Sequence, residues 1–476
     1  MMFDSLHEEC GVFGIYSKNS SAAVASQAYL ALYALQHRGQ ESCGIAICDE
    51  GVMQYHRDLG LVPEVFTGDV LEKLGQGNMA VGHVRYSTLG GQSRSNAQPL
   101  VARHIKGAMA IAHNGSLTNA VALREKLEME GAIFHSTNDT EIILHVITKA
   151  RIHTDSIEAA VEKAMNEIEG AYSLVIMSPS KLIAVRDPHG FRPLCMGTLN
   201  GDTVFASESC ALDSIGADFV RDIDPGEIVI VDKNGLRSNK AHCIGCGNLC
   251  VFEFIYFARP DSVISGASVH IARQRAGVFL ALEHPVQADV VIGVPDSGLD
   301  AALGFSRQSG IPYGVGFIKN RYIGRTFIQP SQEDRDRSVR IKLNTIDATI
   351  KGKRIVLVED SIVRGTTTGR VVRLVREAGA KEVHVRIASP PFVNPCYFGT
   401  DIDSRDNLIA CRMSISEIQD HIQADTLGFL STDHVTKVAE GATCSFCNGC
   451  FTGKYPVPEP AQTSKSRFEC KIGKAD

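Results

Sequence analysis

The feature that most constrains the fold is an apolar run that ends in two adjacent carboxylates. Residues 355–358 are all apolar, and Glu359 and Asp360 follow them directly. A short loop rich in hydroxyl, arginine and glycine residues comes next, and the apolar residues of 371–375 then share one face of a predicted helix. Free N–H groups and the helix dipole favour anions at such a helix start. The stretch therefore predicts a strand, an anion-binding loop and a helix.

The two carboxylates allow two interpretations. Taken alone, an acidic pair most simply caps the helix that follows it. At the carboxyl end of a buried strand, the same pair can hold the hydroxyl groups of a sugar or a hard cation. The anion-binding loop beside the pair favours the second interpretation.

The second half of the chain alternates predicted strands and helices. Strands over 289–294, 354–358 and 382–388 alternate with helices over 298–309 and 367–378. This alternation is typical of a parallel α/β sheet. The first half instead mixes short strands, glycine-rich turns and helices, and it closes on a predicted hairpin near residue 235. We therefore expect at least two domains, with a boundary near residues 236–260.

Length and composition exclude several classes of protein. The chain has 476 residues, enough for two to four domains with their own cores. A net charge of −6 gives no reason to expect nucleic acid as a partner, and no apolar run is long enough to span a bilayer. Residues 1–9 have neither the basic start nor the apolar core of an export signal. We therefore expect a cytoplasmic protein with no membrane partner.

The cysteines need a separate explanation, because the chain has 14 of them. Without an export signal, a disulfide framework is not expected, so metal ligation, reactive thiols and core packing are the better interpretations. Two groups of three cysteines have the spacing of metal ligands. The first group is Cys243, Cys246 and Cys250, and the second is Cys444, Cys447 and Cys450. By spacing alone, a four-cysteine zinc site and an iron–sulfur cluster are both open.

Cys10 opens a predicted strand over 10–16 and, taken alone, is typical of a small buried residue. Its sequence context indicates more, since residues 37–42, 82–88, 113–116 and 138–141 carry polar strings that fit one site. Together these strings resemble the glutaminase domain of the class II glutamine amidotransferases, which are N-terminal-nucleophile hydrolases. The match runs through most of residues 10–235 and implies an α+β domain with an αββα sandwich.

This resemblance implies that residues 1–9 are a propeptide whose removal makes Cys10 the first residue. A free α-amino group has a pKa of about 7.7–8.0, so it can act as the base for the thiol of its own residue. Hydrolysis of an amide also needs donors for the developing oxyanion. The resemblance assigns that role to the side-chain amide of Asn114 and the backbone N–H of Gly115.

Three further residues are implied to bind free glutamine. Arg85 would pair with the substrate's carboxylate in a bidentate fork, Asp139 would pair with its ammonium group, and Gly39 would bring its backbone close to the side-chain amide. Simpler interpretations exist for each part of the site. An Asn-Gly pair such as 114–115 is also a common hairpin turn, Asp139 could cap the following helix, and Arg85 could be a surface charge.

The string that follows residue 358 resembles the ribose-5-phosphate loop of the type I phosphoribosyltransferases, which bind phosphoribosyl pyrophosphate (PRPP). The usual form has two aspartates where this chain has Glu359 and Asp360. A second loop at 293–298 resembles the pyrophosphate loop of the same family and places Ser297 near Mg²⁺. The resemblance implies Mg²⁺ contacts from Ser297, Glu359 and Asp360. It implies PRPP contacts from Glu359, Asp360, Ser361, Arg364, Gly365, Thr366 and Thr367.

Residues 319–330 concentrate cations in one loop-like stretch. A solvated basic loop is the simpler interpretation. The alternative is a lid, with Lys319 and Arg325 binding PRPP, that closes over the pyrophosphate and excludes water. The stretch closely resembles the flexible loop of the glutamine PRPP amidotransferase family, and residues 259–262 and 451–456 resemble it too. The resemblance thus covers residues 10–456.

Membership of that family implies a reaction at two sites. Glutamine is hydrolysed to glutamate and ammonia in the first half of the chain, and the ammonia attacks C1 of PRPP in the second. The products are 5-phosphoribosylamine and pyrophosphate, with Mg²⁺ as cofactor, in the first committed step of de novo purine synthesis. The family also implies inhibition by purine nucleotides and a homotetramer. The implied domains are a propeptide (1–9), a glutaminase domain (10–240), a phosphoribosyltransferase domain (255–456) and a tail (457–476).

One branch of the family carries a [4Fe–4S] cluster, and its ligand pattern maps onto Cys250, Cys396, Cys447 and Cys450. We therefore expect this cluster, in a structural role that ties the end of the chain to the second domain. Cys243, Cys246 and Cys444 are left without a role, which keeps a zinc site or alternative ligands open.

Two other functions compete with this assignment. The first is a class II amidotransferase with a different acceptor, such as a sugar phosphate, but such an enzyme has no need of a PRPP loop. The second is a regulator that keeps the fold only to sense PRPP and binds DNA. That function predicts a basic face, a helix-turn-helix and no intact glutamine site, and the sequence matches none of these.

Overall fold

The computed structural model describes residues 10–19, 22–86, 93–320, 343–400, 402 and 404–460. Within these ranges, no helix has both the length and the apolar composition needed to cross a bilayer. The two halves of the chain have different sheet architectures. We describe them in turn.

The first half is built on antiparallel strands. Its described strands are β1 (Gly11–Tyr16), β2 (Ser42–Asp49), β3 (Val52–Leu59), β4 (Met79–Arg85), β5 (Leu100–His104), β6 (Gly107–Leu117), β7 (Gly170–Met177), β8 (Leu182–Arg186), β9 (Cys195–Leu199), β10 (Asp202–Ala206), β11 (Asp218–Asp222), β12 (Ile228–Asp232) and β13 (Gly235–Asn239). Strands β12 and β13 form the hairpin that the sequence predicts near residue 235.

These strands form two sheets that pack face to face. One has the order β11-β9-β10-β1-β4-β2-β3, and the other has the order β13-β12-β8-β7-β6-β5. Buried side chains such as Val12 and Val81 from the first sheet meet Ala110 and Val175 from the second. Such inward-facing apolar residues form the core of a two-sheet sandwich.

Helices cover both outer faces of this sandwich. They are α1 (Val24–Ala34), α2 (Val62–Val65), α3 (Gly68–Leu74), α4 (Ala120–Met129), α5 (Asp139–Ile152), α6 (Ile157–Ala164) and α7 (Ser209–Ile215). Helices α1 and α7 pack on the first sheet, and α4, α5 and α6 pack on the second. The layers are therefore those of the predicted αββα sandwich.

The second half begins with a short connection. Its described strands are β14 (Asn248–Cys250), β15 (Val263–Ile264), β16 (Ala267–Ser268), β17 (Val290–Gly293), β18 (Phe317–Lys319), β19 (Leu343–Thr345), β20 (Arg354–Glu359), β21 (Glu382–Ile387), β22 (Thr426–Phe429) and β23 (Ser445–Cys447). Its helices are α8 (Val269–Glu283), α9 (Gly298–Ser309), α10 (Asp347–Ile350), α11 (Thr366–Glu377), α12 (Ile409–Arg412), α13 (Ile415–Ile422), α14 (Thr432–Val435) and α15 (Gly449–Thr452). A π-helix over Glu253–Phe257 lies between β14 and β15.

Four of these strands form a parallel sheet in the order β17-β20-β21-β22. Alternate residues of β20 point to opposite faces, as the period of a strand requires. Val356 and Val358 join the core formed with α8 and α9, whereas Ile355 and Leu357 join the core formed with α11 and α13. Both faces are therefore covered, and the predicted parallel α/β arrangement is confirmed.

The end of the chain returns to the connection between the halves. Strand β14 pairs in parallel with β23, so that Cys250 lies opposite Cys447. The backbone N–H of Val251 also donates to the carbonyl of Cys447 over 3.1 Å. This pairing brings together cysteines that are almost 200 residues apart in sequence.

Candidate functional site

Cys10 lies directly before β1, and only 7% of its surface is exposed. Its Sγ donates to the carbonyl oxygen of Tyr86 over 3.4 Å. Its own carbonyl oxygen accepts a hydrogen bond of 3.0 Å from Nε of Arg38. These contacts hold the thiol against the end of β4, which pairs with β1.

The predicted oxyanion donors lie in the middle of a sheet. Asn114 and Gly115 sit within β6, paired with Ser173 and Tyr172 of β7, so the alternative of a hairpin turn is wrong. Gly115 has φ of 141°, and a Cβ there would stand 2.1 Å from the carbonyl oxygen of Ala171. Only glycine fits such a backbone.

The side chain of Asn114 is fully buried. Among the described residues, neither its Nδ2 nor its Oδ1 has a hydrogen-bond partner. Leaving a buried polar group without a partner typically costs about 1–3 kcal/mol, and such groups in a folded protein call for an explanation. An amide N–H with no partner in the fold is suited to donating to a reacting oxygen that arrives with the substrate.

His83 connects the strand that ends near Cys10 to the strand that carries Asn114. Its Nε2 lies 2.9 Å from the carbonyl oxygen of His113. Burial lowers the pKa of His83 to about 3, so the ring is neutral at physiological pH. Because a carbonyl oxygen only accepts, Nε2 must carry the proton of this neutral ring. His83 belongs to the string 82–88, but nothing in that string indicated this contact, because the partner is 30 residues away.

The glutamine-binding candidates converge on the same strand ends. Arg85 is the last residue of β4 and is buried, so it is not a surface charge. A Cβ on Gly39 would lie 2.6 Å from the backbone nitrogen of Arg85, which explains the need for glycine at this close approach. Asn138, not Asp139, caps α5 by accepting from the N–H of Thr140 over 2.9 Å.

The carboxylate of Asp139 turns toward β6 instead. Its Oδ2 accepts the backbone N–H of Leu117 over 3.0 Å, and its Oδ1 lies 3.5 Å from Nδ1 of His113. Asp139 is thus fixed at the strand that carries Asn114. The structure brings the six predicted residues of the first half, Cys10, Gly39, Arg85, Asn114, Gly115 and Asp139, to neighbouring parts of β1, β4 and β6.

The second candidate site lies at the carboxyl edge of the parallel sheet. Strands β17 and β20 are neighbours, with Gly293 opposite Val358. A Cβ on Gly298, the first residue of α9, would stand 2.6 Å from the carbonyl oxygen of Val358. The two predicted loops, which follow these strands, therefore lie side by side. Ligands in open α/β folds bind at this edge.

The acidic pair at this edge is poorly satisfied by the fold. Glu359 is 6% exposed, and its Oε2 has no partner in the described part of the chain. Burial, followed by the charge of Asp360, raises the pKa of Glu359 to about 8. Burial also raises the pKa of the half-buried Asp360 to about 6, although Ser361 donates to its Oδ1 over 2.5 Å. Burial disfavours the ionised form of both carboxyl groups, and a bound divalent cation would restore it. Carboxylate oxygens are the ligands that hard divalent cations prefer.

The starts of two helices, α9 and α11, lie near the acidic pair. Gly365 has φ of 88° and is the N-cap of α11, whose first turn contains Thr366 and Thr367. The free N–H groups of this turn suit a phosphate. Ser297 stands at the N-cap of α9, and its side chain makes no cap hydrogen bond. Ser361 and Arg364 are half-buried residues of the same loop.

Of the two residues predicted to bind PRPP from the lid, the structure describes Lys319 but not Arg325. Lys319, at the end of β18, pairs with the carboxylate of Asp296 in the second loop. Lys319 therefore lies beside the loop that the sequence predicts to bind pyrophosphate. Residues 321–342, which include Arg325 and most of the predicted lid, lie outside the described residues, as does the predicted propeptide.

A third site is a cavity between the connection and the end of the chain. All four predicted cluster ligands, Cys250, Cys396, Cys447 and Cys450, line it. The rest of the wall is mainly aromatic, from Phe191, Phe252, Phe392, Phe398 and Tyr455. Burial raises the pKa of the Cys447 thiol to about 12 and raises those of Cys250 and Cys450 as well.

The number and type of these ligands bear on which metal they could hold. A zinc ion holds its sulfur ligands about 2.3 Å from one point. Within the described ranges, no group of three or more His, Cys, Asp or Glu side chains is placed to hold a metal ion. An iron–sulfur cluster spreads its four cysteine ligands over several irons, and the four cysteines that line the cavity match that ligand set in number and type. Cys243, Cys246 and Cys444 do not line the cavity.

Comparisons with known proteins agree on both halves. A model of the glutamine amidotransferase domain matches residues 83–214, and a model of the phosphoribosyl transferase domain matches residues 277–389. An amidophosphoribosyltransferase of Synechocystis is 48% identical over 470 residues, covering 98% of this chain and 94% of that protein. The amidophosphoribosyltransferase of Bacillus subtilis is 45% identical over 457 residues, covering 95% of each chain.

Solved structures give the same result. The B. subtilis glutamine PRPP amidotransferase, in complex with ADP and GMP, superposes with a TM-score of 0.88 at 44% identity, over 95% of this chain and 99% of that one. A second structure, described as the allosteric regulatory enzyme of purine biosynthesis, has a TM-score of 0.90 at 44% identity and covers 97% and 99% of the two chains.

A glutaminase sandwich followed by a phosphoribosyltransferase sheet defines a glutamine amidotransferase whose ammonia acceptor is PRPP. The chain belongs to the amidophosphoribosyltransferase family. It hydrolyses glutamine and transfers the ammonia to C1 of PRPP, giving 5-phosphoribosylamine, pyrophosphate and glutamate in the first committed step of de novo purine synthesis.

Proposed function

We propose that Cys10, once residues 1–9 are removed, is the nucleophile of the glutaminase reaction. Its α-amine takes the thiol proton, and Sγ attacks the side-chain carbonyl carbon of glutamine. Collapse of the tetrahedral intermediate breaks the C–N bond, and the leaving nitrogen receives the proton and departs as ammonia. Water then cleaves the thioester to glutamate and restores the thiol.

Stabilisation of the oxyanion carries this proposal. The tetrahedral intermediate places a negative charge on the former carbonyl oxygen, and that charge needs preorganised donors. The buried Nδ2 of Asn114, which has no partner in the described part of the fold, supplies one donor. The N–H of Gly115 supplies the other. Arg85 binds the carboxylate of glutamine and Asp139 its ammonium group, while the backbone of Gly39 lies beside the amide.

In the second half, we propose that Ser297, Glu359 and Asp360 hold Mg²⁺ at the sheet edge. When bound, the cation neutralises charge on the pyrophosphate as that group leaves. Glu359 and Asp360 orient the ribose hydroxyls. Ser361, Arg364, Gly365, Thr366 and Thr367 surround the 5-phosphate, and Lys319 exchanges Asp296 for the pyrophosphate. The role predicted for Arg325 stays a prediction.

We propose that Cys250, Cys396, Cys447 and Cys450 hold a [4Fe–4S] cluster. Four cysteines in an aromatic cavity supply the usual ligand set and exclude solvent from it. When bound, the cluster cross-links the connection between the halves to the end of the chain, which is a structural role. Anaerobically purified protein should contain iron and absorb visible light, and Cys396→Ser should lose both.

Cys411→Ser is the matched control for the cluster, because Cys411 is exposed and does not line the cavity. This variant should keep its iron. Colourless wild-type protein that contains zinc would contradict the proposed cluster.

We further propose feedback inhibition by purine nucleotides, a homotetramer and a cytoplasmic location. The first is supported by the B. subtilis relative, whose structure contains ADP and GMP. Activity measured with added AMP, ADP or GMP tests the inhibition, light scattering tests the oligomeric state, and cell fractionation tests the location.

The nucleophile is tested by Cys10→Ala. Glutamine-dependent synthesis should fall by about 10⁴-fold or more, as expected for a missing nucleophile. Synthesis from ammonium salts at high pH should persist, because the second site is intact. The matched control is Cys48→Ala, which removes another buried thiol of the same domain.

Mass spectrometry completes the test. Active protein should begin at Cys10 rather than Met1. Full glutamine-dependent activity in a chain that keeps residues 1–9, or in Cys10→Ala, would refute the proposed nucleophile.

A further inference from the structure

The ring of His83 carries a second nitrogen that the proposed glutaminase reaction does not use. Its Nε2 holds the proton and donates to the carbonyl oxygen of His113 over 2.9 Å, so Nδ1 of the neutral ring offers only a lone pair. The side chain is fully buried, and Nδ1 has no hydrogen-bond partner within the described ranges. Because buried polar atoms in folded proteins nearly always have a partner, this fixed acceptor indicates a donor that arrives with a ligand.

Strand register places this ring on the same face of the sheet as the thiol of Cys10. His83 of β4 pairs with Val12 of β1, and the side chain of Val12 packs between the two sheets. Paired residues of antiparallel strands share a face, and so do residues two apart along an extended chain. His83 and Cys10 therefore both project into the space between the sheets. As diagonal neighbours they are about 7–8 Å apart, which leaves room for one carboxamide group between them.

The opposite wall of this space carries the proposed oxyanion donor. The carbonyl oxygen that His83 contacts belongs to His113, the residue before Asn114. Asn114 shares the inward face of β6 with Ala110 and Ala112, which pack between the sheets. Nδ2 of Asn114 can donate to an oxygen, whereas Nδ1 of His83 can only accept from an N–H. A carboxamide has one oxygen and one NH₂ group, so the two side chains match its two ends.

The surroundings keep Nδ1 an acceptor at physiological pH. Burial lowers the pKa of His83 to about 3, and the positive charge of Arg85 acts in the same direction. A protonated ring would donate instead and would attract a carboxylate. The neutral ring favours an N–H group, because the lone pairs of a carboxylate oxygen would face the lone pair of Nδ1.

We propose that Nδ1 of His83 accepts an N–H of the side-chain carboxamide of glutamine and so determines the preference for an amide over a carboxylate. Glutamine offers this N–H, whereas the product glutamate has only acceptor oxygens at the same position. A site that hydrogen-bonds a substrate group rejects analogues that lack the group, because its own buried polar atom is then left unpaired. Glutamate is consequently held weakly and leaves. This inference rests on the proposed role of Cys10.

His83→Gln separates the acceptor from the bond to His113. The amide nitrogen of the new side chain can replace Nε2, but a carbon stands where Nδ1 was. The KM for glutamine should rise by about 3- to 10-fold, the usual value of one hydrogen bond, while the inhibition constant of glutamate should stay within about twofold of wild type or fall. A merely structural role would weaken both ligands equally. Steady-state glutaminase assays with glutamate as competitive inhibitor measure both constants.

A change of ligand tests the same contact without a mutation. The γ-methyl ester of glutamate keeps the carbonyl group and has no N–H on the leaving side. Wild-type protein should have a KM for this ester at least about threefold above that for glutamine, and His83→Gln should bring the two KM values together. His83→Asn, whose amide can place an oxygen near the position of Nδ1, should recover part of the preference for glutamine. Equal KM values in wild-type protein would overturn the inference, even if His83→Gln does not fold.

His384→Gln is the matched control. His384 is also buried, and burial also lowers its pKa, but it lies in β21 of the second half. Its constants for glutamine and glutamate should equal those of wild type. An equal change of both constants in His83→Gln, or no change in either, would overturn the inference. Survival of glutamine hydrolysis in Cys10→Ala would instead refute the proposed nucleophile, so the two failures are distinguishable.

Discussion

The two reaction centres differ in the chemical type of their buried polar groups that lack a hydrogen-bond partner in the described part of the chain. At the glutaminase centre, the buried atoms that lack a partner among the described residues include both polar atoms of a neutral amide, that of Asn114. At the PRPP centre the corresponding atom belongs to a carboxyl group, that of Glu359, whose pKa is raised to about 8 by burial. A neutral amide can await an oxyanion without a counter-charge, whereas a buried carboxyl group ionises readily only when a cation binds beside it. The difference is what the proposed Mg²⁺ site requires, because only the second centre presents buried carboxyl oxygens to a ligand.

The two centres also differ in how far their side chains are buried. The first is enclosed between two sheets, and Cys10, Arg85, Asn114 and Asp139 are all less than a tenth exposed. The second lies at the open edge of a sheet, where Asp360 and Arg364 are only half-buried and Thr366 is exposed. Glutamine therefore reacts in a site whose donors are fixed by strands, while PRPP brings its own charge to loops and helix ends.

The largest effect is expected at the neutral centre. Asn114→Ala should lower the rate of glutamine hydrolysis by about 100- to 1000-fold, the usual cost of losing one oxyanion donor. Its melting temperature should not fall, because the amide has no hydrogen-bond partner in the described part of the fold. Steady-state kinetics and calorimetry check the two parts. A clear loss of stability with little loss of rate would show that Asn114 is structural.

A smaller effect is expected at the charged centre. Glu359→Gln should weaken Mg²⁺ binding by at least about 10- to 100-fold. Replacing a residue that only hydrogen-bonds to a metal ligand typically costs this much, and Glu359 is proposed as a ligand itself. Titration calorimetry with Mg²⁺ and PRPP measures this. Glu359→Asp should retain most of the affinity, and Glu382→Gln, on the neighbouring strand, is the control. Equal Mg²⁺ affinity in Glu359→Gln and wild type would remove the contrast between the centres.

The pH dependence of stability sharpens the comparison further. The folded pKa of His83 is lowered to about 3, against about 6.5 in an unfolded chain. Between these values the unfolded state binds more protons, so the unfolding free energy falls as pH falls through 6.5 toward 3. The expected slope from this group is about 1 kcal/mol per pH unit.

His83→Gln should flatten that slope, because a glutamine does not titrate and can place a donor near the position of Nε2. Denaturant unfolding at several pH values provides the measurement. His56→Gln, at a less buried histidine of the same sheet, is the control and should leave the slope unchanged. An unaltered slope in His83→Gln would show that His83 is not held neutral.

The smallest effect is expected from Lys319→Ala. The pair between Lys319 and Asp296 is exposed, so its loss should change stability by less than about 1 kcal/mol. The KM for PRPP should rise by up to about fivefold, the equivalent of roughly 1 kcal/mol. Lys351→Ala, at an exposed lysine distant from the loop, is the control. A KM unchanged by Lys319→Ala would place the pyrophosphate elsewhere.

The sequence predicted those parts of the fold that depend on local pattern. The structure confirms the helix predicted over 298–309, which is α9. The prediction succeeded because the apolar spacing is regular and because Gly310 ends the helix in a left-handed conformation. The loops after β17 and β20 could be placed together because carboxyl ends of parallel strands share an edge. Resemblance, rather than periodicity, located Cys10 and Asn114.

The contact between Glu253 and Arg38 could not be predicted from local pattern. Glu253 stands in an aromatic stretch that suggests only burial, and its partner Arg38 is 215 residues away. The π-turn around it differs from an α-helix by one residue in its hydrogen bonding, which leaves no trace in apolar spacing. The pairing of Glu253 with Arg38 depends on how the two halves of the chain meet, and that information is not local.

The central claim is that two unlike sites serve one reaction. The most direct test measures glutamate and pyrophosphate together, using protein that begins at Cys10, with glutamine, PRPP and Mg²⁺ at neutral pH. The account predicts equal amounts of the two products, and loss of both when glutamine is omitted in the absence of ammonium. Steady formation of glutamate without pyrophosphate in the complete mixture would contradict it.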